Sequence, residues 1–86
     1  MDNAAIAHEL LRQARDLAAH GENLYRVRAY RRAAAELLGL DRPVSAIVAE
    51  SGPRGLTVLP GVGMSLAKTI AELAEQPPEP VGAQAG

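Results

Sequence analysis

Residues 56 to 65 read Leu56-Thr-Val-Leu-Pro-Gly-Val-Gly-Met-Ser65. Pro60 ends whatever helix precedes it, Gly61 and Gly63 permit backbone angles closed to other residues, and a regular apolar pattern resumes at Leu66. The stretch therefore predicts a hairpin between two helices. With no side chain on either glycine, the N–H groups of Gly61, Val62, Gly63 and Met64 can approach another molecule closely where the following helix starts. Such a helix start suits an anion, phosphate above all. The competing reading is a plain helix-helix turn without a ligand, since glycine pairs occur there too.

Working outward, the helix after the hairpin is expected from about Gly63 to Glu75, with Leu66, Ile70 and Leu73 facing a core and Ala67, Ala71 and Ala74 allowing close contact. Upstream, a short helix is expected at about 54 to 58, after a break at Ser51-Gly52-Pro53. Val44, Ile47 and Val48 predict another short helix with Pro43 in its first turn. Before the stop at Gly39 to Pro43, a helix from about 24 to 38 carries the stripe Leu24, Val27, Tyr30, Ala34, Leu37 and Leu38. Arg28, Arg32 and Glu36 line another face, and Arg31 sits at the edge of the core stripe in a structural role. Residues 3 to 19 form an amphipathic helix through Ile6, Leu10, Leu11, Ala14, Leu17 and Ala18. Asp2 or Asn3 caps its start, Gly21 marks its end, and Asn23 caps the next helix. No segment alternates like a strand, so the fold class is all-α, a bundle of four or five short helices. The ordered domain is expected over residues 1–75. The Pro-, Gly- and Ala-rich stretch 76–86 reads as a disordered tail or linker.

The 86 residues fit one small domain with a core drawn from roughly 75 of them. Absence of cysteine excludes disulfides and thiolate metal sites, and His8 and His20 are too isolated for a zinc site. No apolar run approaches the ~20 residues of a membrane span, and the first helix is too charged for a signal peptide. The expectation is a soluble, intracellular protein, cytoplasmic and nucleoid-associated if bacterial. With Tyr25 and Tyr30 as its only aromatics, a stacking surface for single strands is hard to build.

Net charge is −1, but six of the nine basic residues lie between Arg12 and Arg32. Arg26, Arg28, Arg31 and Arg32 fall within seven residues that contain no acid, whereas three basic and six acidic residues follow Arg32. The distribution allows a local positive face, and an ordinary solvated helix face is the alternative.

Together, Asn3-x-x-Ile-Ala, Gly21-Glu-Asn-Leu-Tyr-Arg-Val-Arg-Ala-Tyr-Arg-Arg-Ala-Ala34 and Leu59-Pro-Gly-Val-Gly63, with Leu66-Ala67 and Ile70-Ala-Glu-Leu73, resemble the amino-terminal domain of family X DNA polymerases, the DNA polymerase beta group. The resemblance spans residues 3 to 75. It implies a helix-hairpin-helix domain that holds DNA by its backbone near a gap or 5′ end, and a polymerase domain beside it if the chain is a piece of a longer protein. Met1 and the loose tail suit either a complete protein or such a piece. The resemblance further implies no cofactor beyond a monovalent cation, Na or K, held by the backbone carbonyls of Thr57, Leu59 and Val62.

Several members of that family also use the domain as a lyase, through a lysine that forms a Schiff base with an abasic sugar. Aligned from Leu59, that lysine falls on Thr69, which cannot form the imine. Lys68 lies next to it, turned by about 100° around the helix. Other pocket lysines of the family fall on the neutral Thr57 and Ser65, while Arg26 keeps a basic position and Tyr30 an aromatic one.

The expected function is therefore non-enzymatic, sequence-independent binding of duplex or gapped DNA, with a Kd on the order of 10⁻⁴ to 10⁻⁶ M. The expected contacts are the N–H groups of Gly61, Val62, Gly63 and Met64, the side chains of Ser65 and Lys68, and Arg26, Arg28 and Tyr30. Two alternatives stand beside it. One is residual abasic-site lyase activity through Lys68, and the other is a protein-interaction module that has lost DNA.

Overall fold

The computed structural model describes residues 1–21 and 23–76, so most of the tail expected to be disordered, residues 77–86, lies outside the described residues. Its elements are α1 (Asn3–Ala19), α2 (Leu24–Leu38), α3 (Val44–Ser51), a 3₁₀ helix (Pro53–Val58) and α4 (Met64–Glu75). Among the described residues there is no strand, and the fold is the all-α bundle expected. None of these helices is long and apolar enough to cross a membrane.

Local chemistry accounts for the helix ends. The Asp2 carboxylate accepts the Ala5 N–H at 2.8 Å to open α1, and the Asn23 side chain accepts the Tyr25 N–H at 2.8 Å to open α2. Pro43 precedes α3 and brings no side-chain cap. Asn3, on α1, supplies one across the fold. Its Oδ1 accepts the Val44 N–H and its Nδ2 donates to the Arg42 carbonyl, both at 2.8 Å, so the start of α3 is clasped to the start of α1.

Ile6 and Leu10 of α1, Leu37 of α2, Val44 of α3, Leu56 of the 3₁₀ helix and Ile70 of α4 are fully buried in one core to which every helix contributes. Burying each such side chain stabilises the fold by roughly 1.5–3 kcal/mol. Gly55 lets the 3₁₀ helix lie against α3, because a Cβ there would come within 2.9 Å of Ile47 Cγ2 and Ser51 Cβ.

Three expectations about faces are corrected. Leu24 and Leu38 are exposed, at 66% and 56%, while Ala33 is buried in their place: the buried arc of α2 is narrower and rotated toward Ala33, Ala34 and Leu37. Ala18, at the far end of α1, is also exposed. Arg31 is exposed and makes no ion pair among the described residues, so it has no structural role of the kind expected.

Candidate nucleic-acid interface

The hairpin is built by backbone chemistry. The Leu59 carbonyl accepts the Val62 N–H at 3.1 Å, with Pro60 and Gly61 between them and Gly61 at φ +79°. This is a type II turn, in which proline presets the first central residue and a positive φ at the second favours glycine. Val62, 5% exposed, then drops its side chain into the core that also holds Leu56, Leu66 and Ile70 and anchors the turn. Gly63 is extended, at φ −89° and ψ −179°, and caps α4 by accepting the Ala67 N–H at 2.9 Å. Its backbone angles are open to any residue, contrary to the expectation that both glycines are needed for unusual geometry. What glycine leaves at position 63 is space, since a Cβ there would meet no atom within 4 Å.

The expected set of donors changes by one. The Val62 N–H is engaged inside the turn and is not available to a ligand. The N–H groups of Gly61, Gly63, Met64 and Ser65 find no acceptor among the described residues, and no side chain caps the start of α4. Ser65 thus joins through its backbone as well as its hydroxyl. These donors gather where the helix dipole places its positive end.

Opposite the hairpin stands α2. Tyr25 and Ala29, one turn apart, face Gly61, and a groove opens on each side of the ridge these three make. The larger, about 470 Å³, is lined by Arg26 and Tyr30 from α2 and by Gly61, Gly63, Ser65 and Leu66 from the hairpin and α4. The smaller, about 230 Å³, is lined by Arg28 and Arg32 together with the ridge. Helical rotation of about 100° per residue explains the partition, with Arg28 and Arg32 falling on one side of Tyr25 and Ala29, and Arg26 and Tyr30 on the other. Arg26, Arg28, Arg31 and Arg32 are all exposed. The ion pairs among the described residues are Arg12 with Glu9 and Asp16, and Arg42 with Glu50, so the four arginines of α2 have no carboxylate partner among the described residues. Arg26 also borders a cavity between α1 and α2 that Asp16 and His20 help to line.

Two residues that line the grooves are absent from the expected contacts. Tyr25, 81% exposed, stands on the ridge, whereas the expected Tyr30 is half-buried against the core and reaches only the groove wall. Arg32 lies across the turn, its Cδ 3.0 Å from where a Gly61 Cβ would be. The i, i+4 spacing from Arg28 was a signal for Arg32. Nothing in the pattern marked Tyr25.

From α4, Ser65 and Leu66 reach the larger groove. Lys68 is exposed and lines neither groove. Thr69 is turned about 40° from Ser65 and therefore lies on the groove side of the helix, with its hydroxyl donating to the Ser65 carbonyl at 3.3 Å. No lysine lines either groove, so neither is equipped with an amine for imine chemistry.

The carbonyls expected to hold a cation belong to Thr57, Leu59 and Val62, in and around the hairpin. Those of Thr57 and Val62 accept no hydrogen bond among the described residues, and that of Leu59 keeps one lone pair after accepting from Val62. Thr57 contributes its hydroxyl elsewhere, donating to the Arg54 carbonyl at 2.7 Å. No cluster of three His, Asp or Glu among the described residues could hold a metal ion.

Comparison with known proteins agrees with this geometry at the level of the fold. The family model described as helix-hairpin-helix domain matches residues 1–77, and the chain belongs to that family. No curated protein and no solved structure matches it.

Proposed function

We propose that this helix-hairpin-helix domain binds DNA by its sugar-phosphate backbone and does not read base sequence. Helix-hairpin-helix domains generally bind DNA in this manner. The observation that carries the reading is the set of N–H groups on Gly61, Gly63, Met64 and Ser65, without acceptors among the described residues, at a helix start whose Gly61, Gly63 and Ser65 share a groove with Arg26, itself without an ion-pair partner among the described residues. Phosphate satisfies both at once, by hydrogen bonds to the helix start and by charge. The donors gathered at the hairpin are backbone N–H groups, which position a phosphate and carry no base-specific pattern, so recognition by backbone shape is favoured over recognition by sequence.

The finer reading rests on the resemblance to family X DNA polymerases. In it, residues 1–75 form the binding domain, the rest is a linker that leads to a polymerase domain if the chain continues, and the preferred substrate is a gapped duplex with a 5′-phosphate in DNA repair. A monovalent cation on the Thr57, Leu59 and Val62 carbonyls would add a bridge to a phosphate oxygen. Such a protein works inside the cell, in the cytoplasm and on the nucleoid if bacterial.

The test is fluorescence anisotropy of labelled DNA at low salt, comparing intact duplex with gapped duplex bearing a 5′-phosphate. Binding of both, weakened in a folded Gly63→Ala variant, supports the hairpin as the phosphate site. Stronger binding to the gapped substrate supports the polymerase-like use. Failure of both DNAs to bind rules out the reading and leaves a protein-interaction module.

A further inference from the structure

We propose that Arg28 and Arg32 form a second phosphate-binding subsite, so that two neighbouring phosphates of one DNA strand are held on opposite sides of the ridge made by Tyr25, Ala29 and Gly61. The inference rests on the DNA-binding reading and deepens it: the ligand is a continuous strand crossing the hairpin, not a lone terminal phosphate.

Three observations carry the assignment. The two grooves share Tyr25, Ala29 and Gly61 as their common wall, and each has its own basic residues, Arg26 in one and Arg28 with Arg32 in the other. Arg28 and Arg32 are four residues apart on one helix face, where like charges repel, and neither is ion-paired among the described residues. An anion between them relieves that repulsion. Finally, the stem of Arg32 rests on the turn, its Cδ 3.0 Å and its Nε 3.4 Å from the position of a Gly61 Cβ. The guanidinium therefore starts from a supported position at the hairpin, and less side-chain freedom is lost when it meets a phosphate. Gly61 consequently serves both grooves: its N–H has no acceptor among the described residues and its bare Cα makes room for Arg32.

The experiment measures binding of a short fluorescein-labelled duplex over a range of KCl concentrations. The proteins compared are the wild type, an Arg28→Gln/Arg32→Gln pair, an Arg28→Lys/Arg32→Lys pair, and Arg15→Gln as an exposed arginine that lines neither groove. Far-UV circular dichroism checks that each is folded. The Gln pair should bind more weakly at every salt concentration, and its plot of log K against log salt should be shallower by about 0.9 for each phosphate it no longer neutralises. The Lys pair should keep the wild-type slope, and Arg15→Gln should match the wild type. A Gln pair indistinguishable from Arg15→Gln, with Gly63→Ala still impaired, would overturn the second subsite and leave the hairpin reading intact. A Lys pair as shallow as the Gln pair would mean that the arginines act by shaping the turn, and would overturn it too. If the wild type fails to bind at the lowest salt, both readings fall together.

Discussion

Separate alanine substitutions at Gly61 and Gly63 should have opposite consequences. At Gly61 the backbone sits at φ +79°, where an L side chain costs about 1–2 kcal/mol, and the new Cβ would press on the Arg32 stem at 3.0 Å. In a domain of this size each kcal/mol lowers Tm by about 4–8 °C. At Gly63 the extended backbone admits alanine and the Cβ meets nothing within 4 Å. The gain of about 0.4–1 kcal/mol from a less flexible unfolded chain roughly cancels alanine's poorer performance as a helix cap, so stability should stay near that of the wild type. DNA binding should nevertheless fall, because the methyl group intrudes where phosphate meets the start of α4. Loss of one hydrogen bond to a charged group, about 1.5–3 kcal/mol, corresponds to roughly ten- to a hundredfold in Kd. Thermal melts and anisotropy on the same two preparations suffice. A Gly63→Ala protein that is folded and binds DNA like the wild type would refute the assignment of these N–H groups, and a Gly61→Ala protein of unchanged Tm would refute the type II turn as the source of strain.

Replacing Asn3 with Ala removes two hydrogen bonds and leaves the part-buried Val44 N–H without its acceptor, which should destabilise the fold by about 1–3 kcal/mol in urea denaturation. Asn3→Asp keeps the acceptor and should lose less. The hydrogen bond from Arg12 holds the Glu9 carboxyl below its ordinary pKa, against a smaller opposing effect of burial. That stabilisation is present above the unfolded-state pKa and fades as pH falls through the lower, folded value. An NMR titration should accordingly show Glu9 moving toward the ordinary carboxylate range in Arg12→Gln, with the difference in stability between the two proteins closing in acid. Borohydride treatment with an abasic substrate should trap no adduct on the wild type, whereas Thr69→Lys, which puts an amine on the groove side of α4, should produce one. An adduct on the wild type that disappears in Lys68→Ala would contradict the placement of Lys68 outside the groove.

What the chain determines by itself is whatever depends on neighbours in sequence. Proline followed by glycine writes the type II turn, Asp2 and Asn23 cap their own helices, and the three- and four-residue spacing of Ile6, Leu10, Leu66 and Ile70 marks helix faces that are indeed buried. These are short-range effects, carried within a turn or two of backbone, and the expectation of a hairpin between two helices followed from them. The tertiary structure decided everything that depends on which helix lies beside which. An apolar stripe wide enough to include Leu24 and Leu38 is trimmed by where α1 and the hairpin dock, and the same docking sends the Val62 side chain inward. Asn3 is as good a cap for α1 as Asp2 by residue type, and only the fold carries it to Val44, 41 residues away. Four arginines in seven residues are equivalent in a sequence. They become different when Tyr25 and Ala29 are turned to Gly61, because helical rotation then sends Arg26 to one groove and Arg28 with Arg32 to the other, and leaves Arg31 outside both.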